Sequence, residues 1–165
     1  MINNKYTIIK RTIFTLVTLF TIGFIFGQSL MPGDKSGDES GRVLALLNAF
    51  ARWLGLGDIF SHAFVRKCAH FSEFAMLSVF MTLMYNSYNL QKWKLFGFSL
   101  LSCAVVASLD ETIQNFVPGR ACAFTDVLID TSGSFVGLCI VLFILHLTHR
   151  TKKKNVIELS QENGY

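Results

Sequence analysis

Residues 95–120 read LFGFSLLSCAVVASLDETIQNFVPGR, and the fold turns on where the helix in this stretch ends. The uncharged run stops at Leu109 after about 15 residues, whereas a helix that crosses a bilayer needs about 20. The helix is therefore expected to continue through residue 116. Asp110 and Gln114 then share one face at i, i+4, and Glu111 is rotated away by about 100°. Pro118 and Gly119 turn the chain, and Arg120 follows.

The rest of the chain has the same character. It holds 165 residues, 52% hydrophobic and only 16% charged, with 16 Phe and 2 Pro. A soluble domain carries more charge, and here the apolar residues fall in a few long runs. This composition places the chain among integral membrane proteins. Four membrane spans are expected, at about 12–30, 65–85, 95–116 and 124–146. The first has a longer apolar core than a signal peptide, so it is read as a retained span. The fold class is all-α: a bundle of four transmembrane helices plus a short amphipathic interfacial helix.

Basic residues set the orientation. Lys5, Lys10 and Arg11 precede the first span, Lys92 and Lys94 sit between the second and third, and Arg150, Lys152, Lys153 and Lys154 follow the fourth. With four spans these segments share one side, which the positive-inside rule makes cytoplasmic. Both termini are then inside, residues 151–165 form a poorly ordered cytoplasmic tail, and the DETIQNFVPGR end faces out. The net charge of +4 is small and flanks apolar runs, which argues against a nucleic-acid partner and for membrane lipids.

Between the first two spans, MPGDKSGDESGR (31–42) is turn-rich and reads as an exposed loop. From Val43 to Leu54 apolar residues recur at 43, 46, 47, 50, 53 and 54, opposite Arg42, Asn48 and Arg52. That periodicity describes an amphipathic helix lying at the interface, with a re-entrant segment as the other reading.

Three spans carry ionisable stripes at the outward end. Arg66, His70 and Glu73 lie on one face of the second, and Glu73 sits roughly 10 Å deeper than Arg66. Asp110 and Gln114 lie on the third, with Glu111 beside them. Asp126 and Asp130 continue into Gly133 and Gly137 on the fourth, where the lack of side chains permits close helix packing. Each stripe gives way to apolar or small residues further along. Ionisable groups at such depth need partners, so Arg66, His70, Glu73, Asp110, Glu111, Gln114, Arg120, Asp126 and Asp130 are read as one outward-opening polar pocket. The competing reading is a purely structural ion-pair network, with Arg120 clamping Asp126 or Asp110. The spacing of His70, Glu73 and the aspartates matches no strong zinc signature, and no metal or other cofactor is assigned. No nucleophile motif, phosphate loop or redox pair is present. An apolar inner half disfavours a transport pathway through a monomer.

The combination RKCAHFSEF, then DETIQNFVPGR, then Asp126 with the Gly133-x-x-x-Gly137 stripe behind it resembles the VanZ-like membrane protein family. SLMPGDKSGDES after the first span resembles that family's serine-containing outer segment. The resemblance covers His70, Glu73, Asp110, Glu111, Gln114, Phe116, Pro118, Gly119, Arg120, Asp126, Gly133 and Gly137. It departs at Asp130, where many members carry Asn. It implies a multi-pass protein of the bacterial cytoplasmic membrane, whose name-giving relative is associated with resistance to the glycopeptide teicoplanin. The expected function is binding of an anionic ligand, a lipid-linked cell-wall precursor or another envelope component. An enzyme acting on a lipid-linked substrate through His70 and a carboxylate is the alternative.

Overall fold

The computed structural model of the chain describes residues 2–120 and 122–162. These form five helices in order: α1 (Ile2–Ser29), α2 (Gly33–Trp53), α3 (His62–Ser87), α4 (Lys92–Asn115) and α5 (Phe124–Glu162). No strand occurs among the described residues. Four helices are long and apolar enough to cross a membrane, over Lys5–Ser29, His62–Ser87, Lys92–Asn115 and Phe124–Thr148. The protein is a multi-pass membrane bundle. α4 runs on to Asn115, so the span does take in Asp110, Glu111 and Gln114.

Two boundaries differ from the sequence reading. α2 begins at Gly33, so most of the expected 31–42 loop is helix. Pro32 precedes it in an extended conformation (φ −52°, ψ 147°) and has no amide to leave unpaired. The amide of Ser36 then donates to the Pro32 carbonyl at 3.2 Å, opening the helix. Glycine costs a helix only about 1 kcal/mol, and at Gly33 it is required. A Cβ there would collide with the Gly119 carbonyl, and the Gly33 amide donates to the Pro118 carbonyl at 3.1 Å. Docking of α2 on the Pro-Gly turn thus offsets the weak propensity of its first turns. At the other end, α5 continues to Glu162, where a poorly ordered tail is expected from residue 151. The lysines, Leu159 and Glu158 are ordinary helix formers, and no Gly or Pro intervenes. Residues 163–165 of that expected tail lie outside the described residues.

α3 and α5 make the most intimate pair. A Cβ on Gly133 would overlap the Phe71 carbonyl, and one on Gly137 the Ala75 carbonyl, so the α5 backbone lies directly on that of α3. Below this contact Phe74, Leu77 and Met81 of α3 meet Ile25 of α1 and Cys103, Val106 and Ala107 of α4 in one buried cluster. The outward faces carry Leu16, Phe20, Leu101 and Phe143, all exposed, as a lipid-facing surface requires.

α2 buries Asn48 and Ala51 and leaves Leu46, Phe50 and Trp53 open. Asn48 donates through Nδ2 to the Phe60 carbonyl (3.2 Å) and accepts from the Phe60 amide at Oδ1 (3.0 Å), latching the loop that leads to α3 onto α2. That loop turns at Gly55 (φ 79°) and Gly57 (φ 74°), conformations that other side chains rarely adopt. Ser61 then caps α3, its hydroxyl accepting from the Phe64 amide.

Candidate functional site

The C-terminal ends of α1 and α4, the starts of α2, α3 and α5, and the Pro118–Gly119 turn meet at one end of the bundle. Asp110 anchors the junction. Its Oδ1 accepts from the Ser29 hydroxyl at 2.6 Å and its Oδ2 from Gln114 Nε2 at 2.9 Å. Gln114 Nε2 also reaches Ser29 Oγ at 3.2 Å, closing a small ring of bonds between α1 and α4. All three side chains are buried.

Glu111 is equally buried, although the sequence reading turns it away from Asp110. α4 is flanked by helices on two sides: Asp110 meets α1, while Glu111 Oε2 accepts from the Ala123 amide just ahead of α5 at 3.0 Å. A rotation of 100° therefore carries Glu111 to another interface rather than to lipid. Across α3 and α5, His70 Nδ1 lies 3.5 Å from Asp130 Oδ1, close enough for an ion pair but not aligned for a hydrogen bond. Asp130 is fully buried.

The arginines pair differently from expectation. Arg66 reaches Asp126 at 3.3 Å, with the arginine half exposed and the carboxylate buried. Arg120 instead donates to the Gln28 carbonyl at 3.0 Å, tying the turn to the end of α1. It therefore clamps neither aspartate. Burial, with the neighbouring Arg66 guanidinium second, holds Arg120 below its ordinary pKa, and Asp110, Glu111 and Glu73 oppose that shift.

Both arginines line two adjoining cavities. One, of about 430 Å³, is walled by Gly33, Ser36, His62, Lys67 and Gly119. The other, of about 510 Å³, is walled by Ser29, His70 and Glu73 and, on its apolar side, by Val43, Leu47, Phe60 and Phe64. Four α2 residues in the second cavity, Ser36, Ser40, Val43 and Leu47, fall at i, i+4, i+7 and i+11, so they form one stripe that is polar at its start and apolar at its end.

Over residues 14–146 the sequence matches the family model described as VanZ/LLP1. The chain belongs to the VanZ/LLP1 family. The match takes in the second and third spans entire, most of the first and fourth, and the whole polar junction from Ser29 to Gly137. No curated protein and no solved structure matches the chain.

Within this VanZ/LLP1 chain, the buried Asp110, Glu111 and Asp130 come together with the partly buried His70, while Arg66, Glu73 and Arg120 line the cavities beside them. Asp126 joins through Arg66, and Gln114 through Asp110. The sequence alone does not single out Ser29, Ser36 and Ser40 as site residues. The signal that points to them is the serine pattern of SLMPGDKSGDES, where Ser29 closes an apolar run within one turn of a proline.

Proposed function

We propose that this protein holds an anionic, lipid-linked envelope ligand at the outer face of the bacterial cytoplasmic membrane, with both termini inside. The observation that carries this reading is the amphipathic second cavity. Arg66 and Arg120 line it together with the apolar Val43, Leu47, Phe60 and Phe64. A guanidinium matches phosphate or carboxylate oxygens two at a time, and the two guanidiniums disfavour each other unless an anion lies between them. The apolar wall suits an acyl or prenyl chain entering from the leaflet, with α2 as a shelf beside the opening. Sequestering a cell-wall precursor in this way gives a route to lower glycopeptide susceptibility, teicoplanin included.

The test is binding of a polyprenyl phosphate to the purified protein in detergent, followed by native mass spectrometry. Arg66→Gln and Arg120→Gln should each weaken binding by roughly tenfold or more, since a charge-assisted contact contributes about 1.5–3 kcal/mol. Wild-type affinity in the double variant, with normal folding, would sink the proposal. Loss of folded protein in both would instead support a structural network.

A second reading has its own observation. His70 faces both Asp130, at 3.5 Å, and the cavity, so an acid–base pair touches the space where a lipid-linked substrate would lie. Turnover of polyprenyl-phosphate substrates that is lost in His70→Gln would favour an enzyme over a binding protein.

A further inference from the structure

His70, Asp110, Glu111 and Asp130, contributed by α3, α4 and α5, each offer one ligand atom, and these atoms all lie within 4.8 Å of one another. Convergence alone would be a packed acidic cluster. What separates this one is that its buried atoms lack partners. Neither oxygen of Asp130 accepts a hydrogen bond, although its side chain is 0% exposed. Glu111 Oε1 has no hydrogen-bond partner either, and His70 Nδ1 faces Asp130 Oδ1 at 3.5 Å without completing a hydrogen bond. A buried carboxylate oxygen without a hydrogen bond is costly, so a cation that meets the Asp130 and Glu111 oxygens together has a large advantage.

The remaining carboxylate atoms are held from behind. Ser29 and Gln114 fix Asp110, and the Ala123 amide fixes Glu111 through Oε2, which leaves Oε1 free. Orienting contacts of this kind are what metal ligands receive from their surroundings. The nearby guanidiniums do not serve the cluster: Arg66 is engaged by Asp126, and Arg120 by the Gln28 carbonyl.

We infer that His70, Asp110, Glu111 and Asp130 form a divalent-cation site at the inner edge of the cavity. One imidazole with carboxylate oxygens suits Mn²⁺ or Zn²⁺ rather than a thiolate-seeking metal. Ligands about 2.1 Å from a common ion sit roughly 3–4.3 Å apart, so small side-chain adjustments close the observed 4.8 Å spread. The site requires no anionic lipid, and its test uses the metal alone.

The full chain in detergent, stripped with chelator and titrated with MnCl₂, should bind a single ion. Its electron paramagnetic resonance should show coupling to an imidazole nitrogen that vanishes in His70→Gln. Asp130→Asn and Glu111→Gln should weaken Mn²⁺ binding by at least about 10–100-fold, the loss typical even of outer-shell changes. Asp58→Asn, in the exposed loop paired with Arg52, should leave it unchanged. Wild-type protein that binds no ion at millimolar Mn²⁺, or that binds one without nitrogen coupling, overturns the site. So does an Asp130→Asn variant with wild-type affinity. Where Asp130→Asn fails to fold, the nitrogen coupling and its loss in His70→Gln decide the matter.

Discussion

Ser29→Ala removes one oxygen, and the geometry around that oxygen makes the loss cost more than its size suggests. The hydroxyl donates to Asp110 Oδ1 at 2.6 Å and accepts from Gln114 Nε2 at 3.2 Å. An interhelical hydrogen bond in a membrane protein averages only about 0.6 kcal/mol, because the broken state finds other partners. Asp110 has no such freedom. It is 0% exposed, and its second oxygen already holds Gln114. The larger figure for a buried bond to a charged group, about 1.5–3 kcal/mol, should therefore apply. At about 2–4 °C per kcal/mol for a chain of this size, the melting temperature should fall by roughly 3–12 °C.

The measurement is thermal unfolding in detergent with chelator present, run as a double-mutant cycle with Asp110→Asn. The amide keeps the carboxylate's shape without its charge, so Ser29→Ala in that background should cost no more than about 1 kcal/mol. A Ser29→Ala variant within about 0.5 kcal/mol of wild type would show that water or a rearranged Gln114 replaces the bond. A full loss that persists beside Asp110→Asn would show that the cost lies in α1 packing. Either result refutes the assignment of the cost to the buried Asp110 carboxylate.

Gly133→Ala places a Cβ against the Phe71 carbonyl and should cost about 1–3 kcal/mol by forcing α5 off α3. Gly97→Ala, with nothing within 4 Å, should be neutral or stabilising by about 0.5–1 kcal/mol, and the two can be compared by thermal melting of purified protein. Asn48→Ala deletes both bonds to the Phe60 backbone and should loosen the loop, at about 1–2 kcal/mol, giving faster amide exchange across residues 54–61.

The spans are legible in the sequence because apolar runs report membrane crossing directly, and the length requirement correctly extends α4 through Asp110 and Gln114. Periodicity also places His70, Glu73, Asp126 and Asp130 on consistent faces. What periodicity does not supply is the neighbour that each face meets. Ser29, a small polar residue at the end of an apolar run, reads as a boundary, yet it is the partner of Asp110. Charge alone matches Arg120 to the acids of α5, whereas a 3.3 Å contact gives Asp126 to Arg66 and a backbone carbonyl takes Arg120. The start of α2 is hidden for a related reason. Glycine reads as a turn signal, and only the approach of Gly119 reveals Gly33 as a packing residue.

These pairings bear on whether the junction is a scaffold or a site. A network built only to lock helices would be expected to satisfy its own members, as Ser29, Asp110 and Gln114 do. Beside that closed ring, Asp130 and Glu111 Oε1 are buried and unsatisfied. Asp110 belongs to both parts: its ring fixes α1 to α4, and it stands beside the unsatisfied oxygens of Asp130 and Glu111 between α3, α4 and α5. A ligand that fills the second part binds only the folded chain, and it stabilises that chain by RT ln(1 + [L]/Kd), about 2.7 kcal/mol at a hundredfold excess over Kd. Stability that rises with added ion, and rises less in Ser29→Ala where Asp110 loses its positioning contact, is what a site that shares Asp110 with the ring requires.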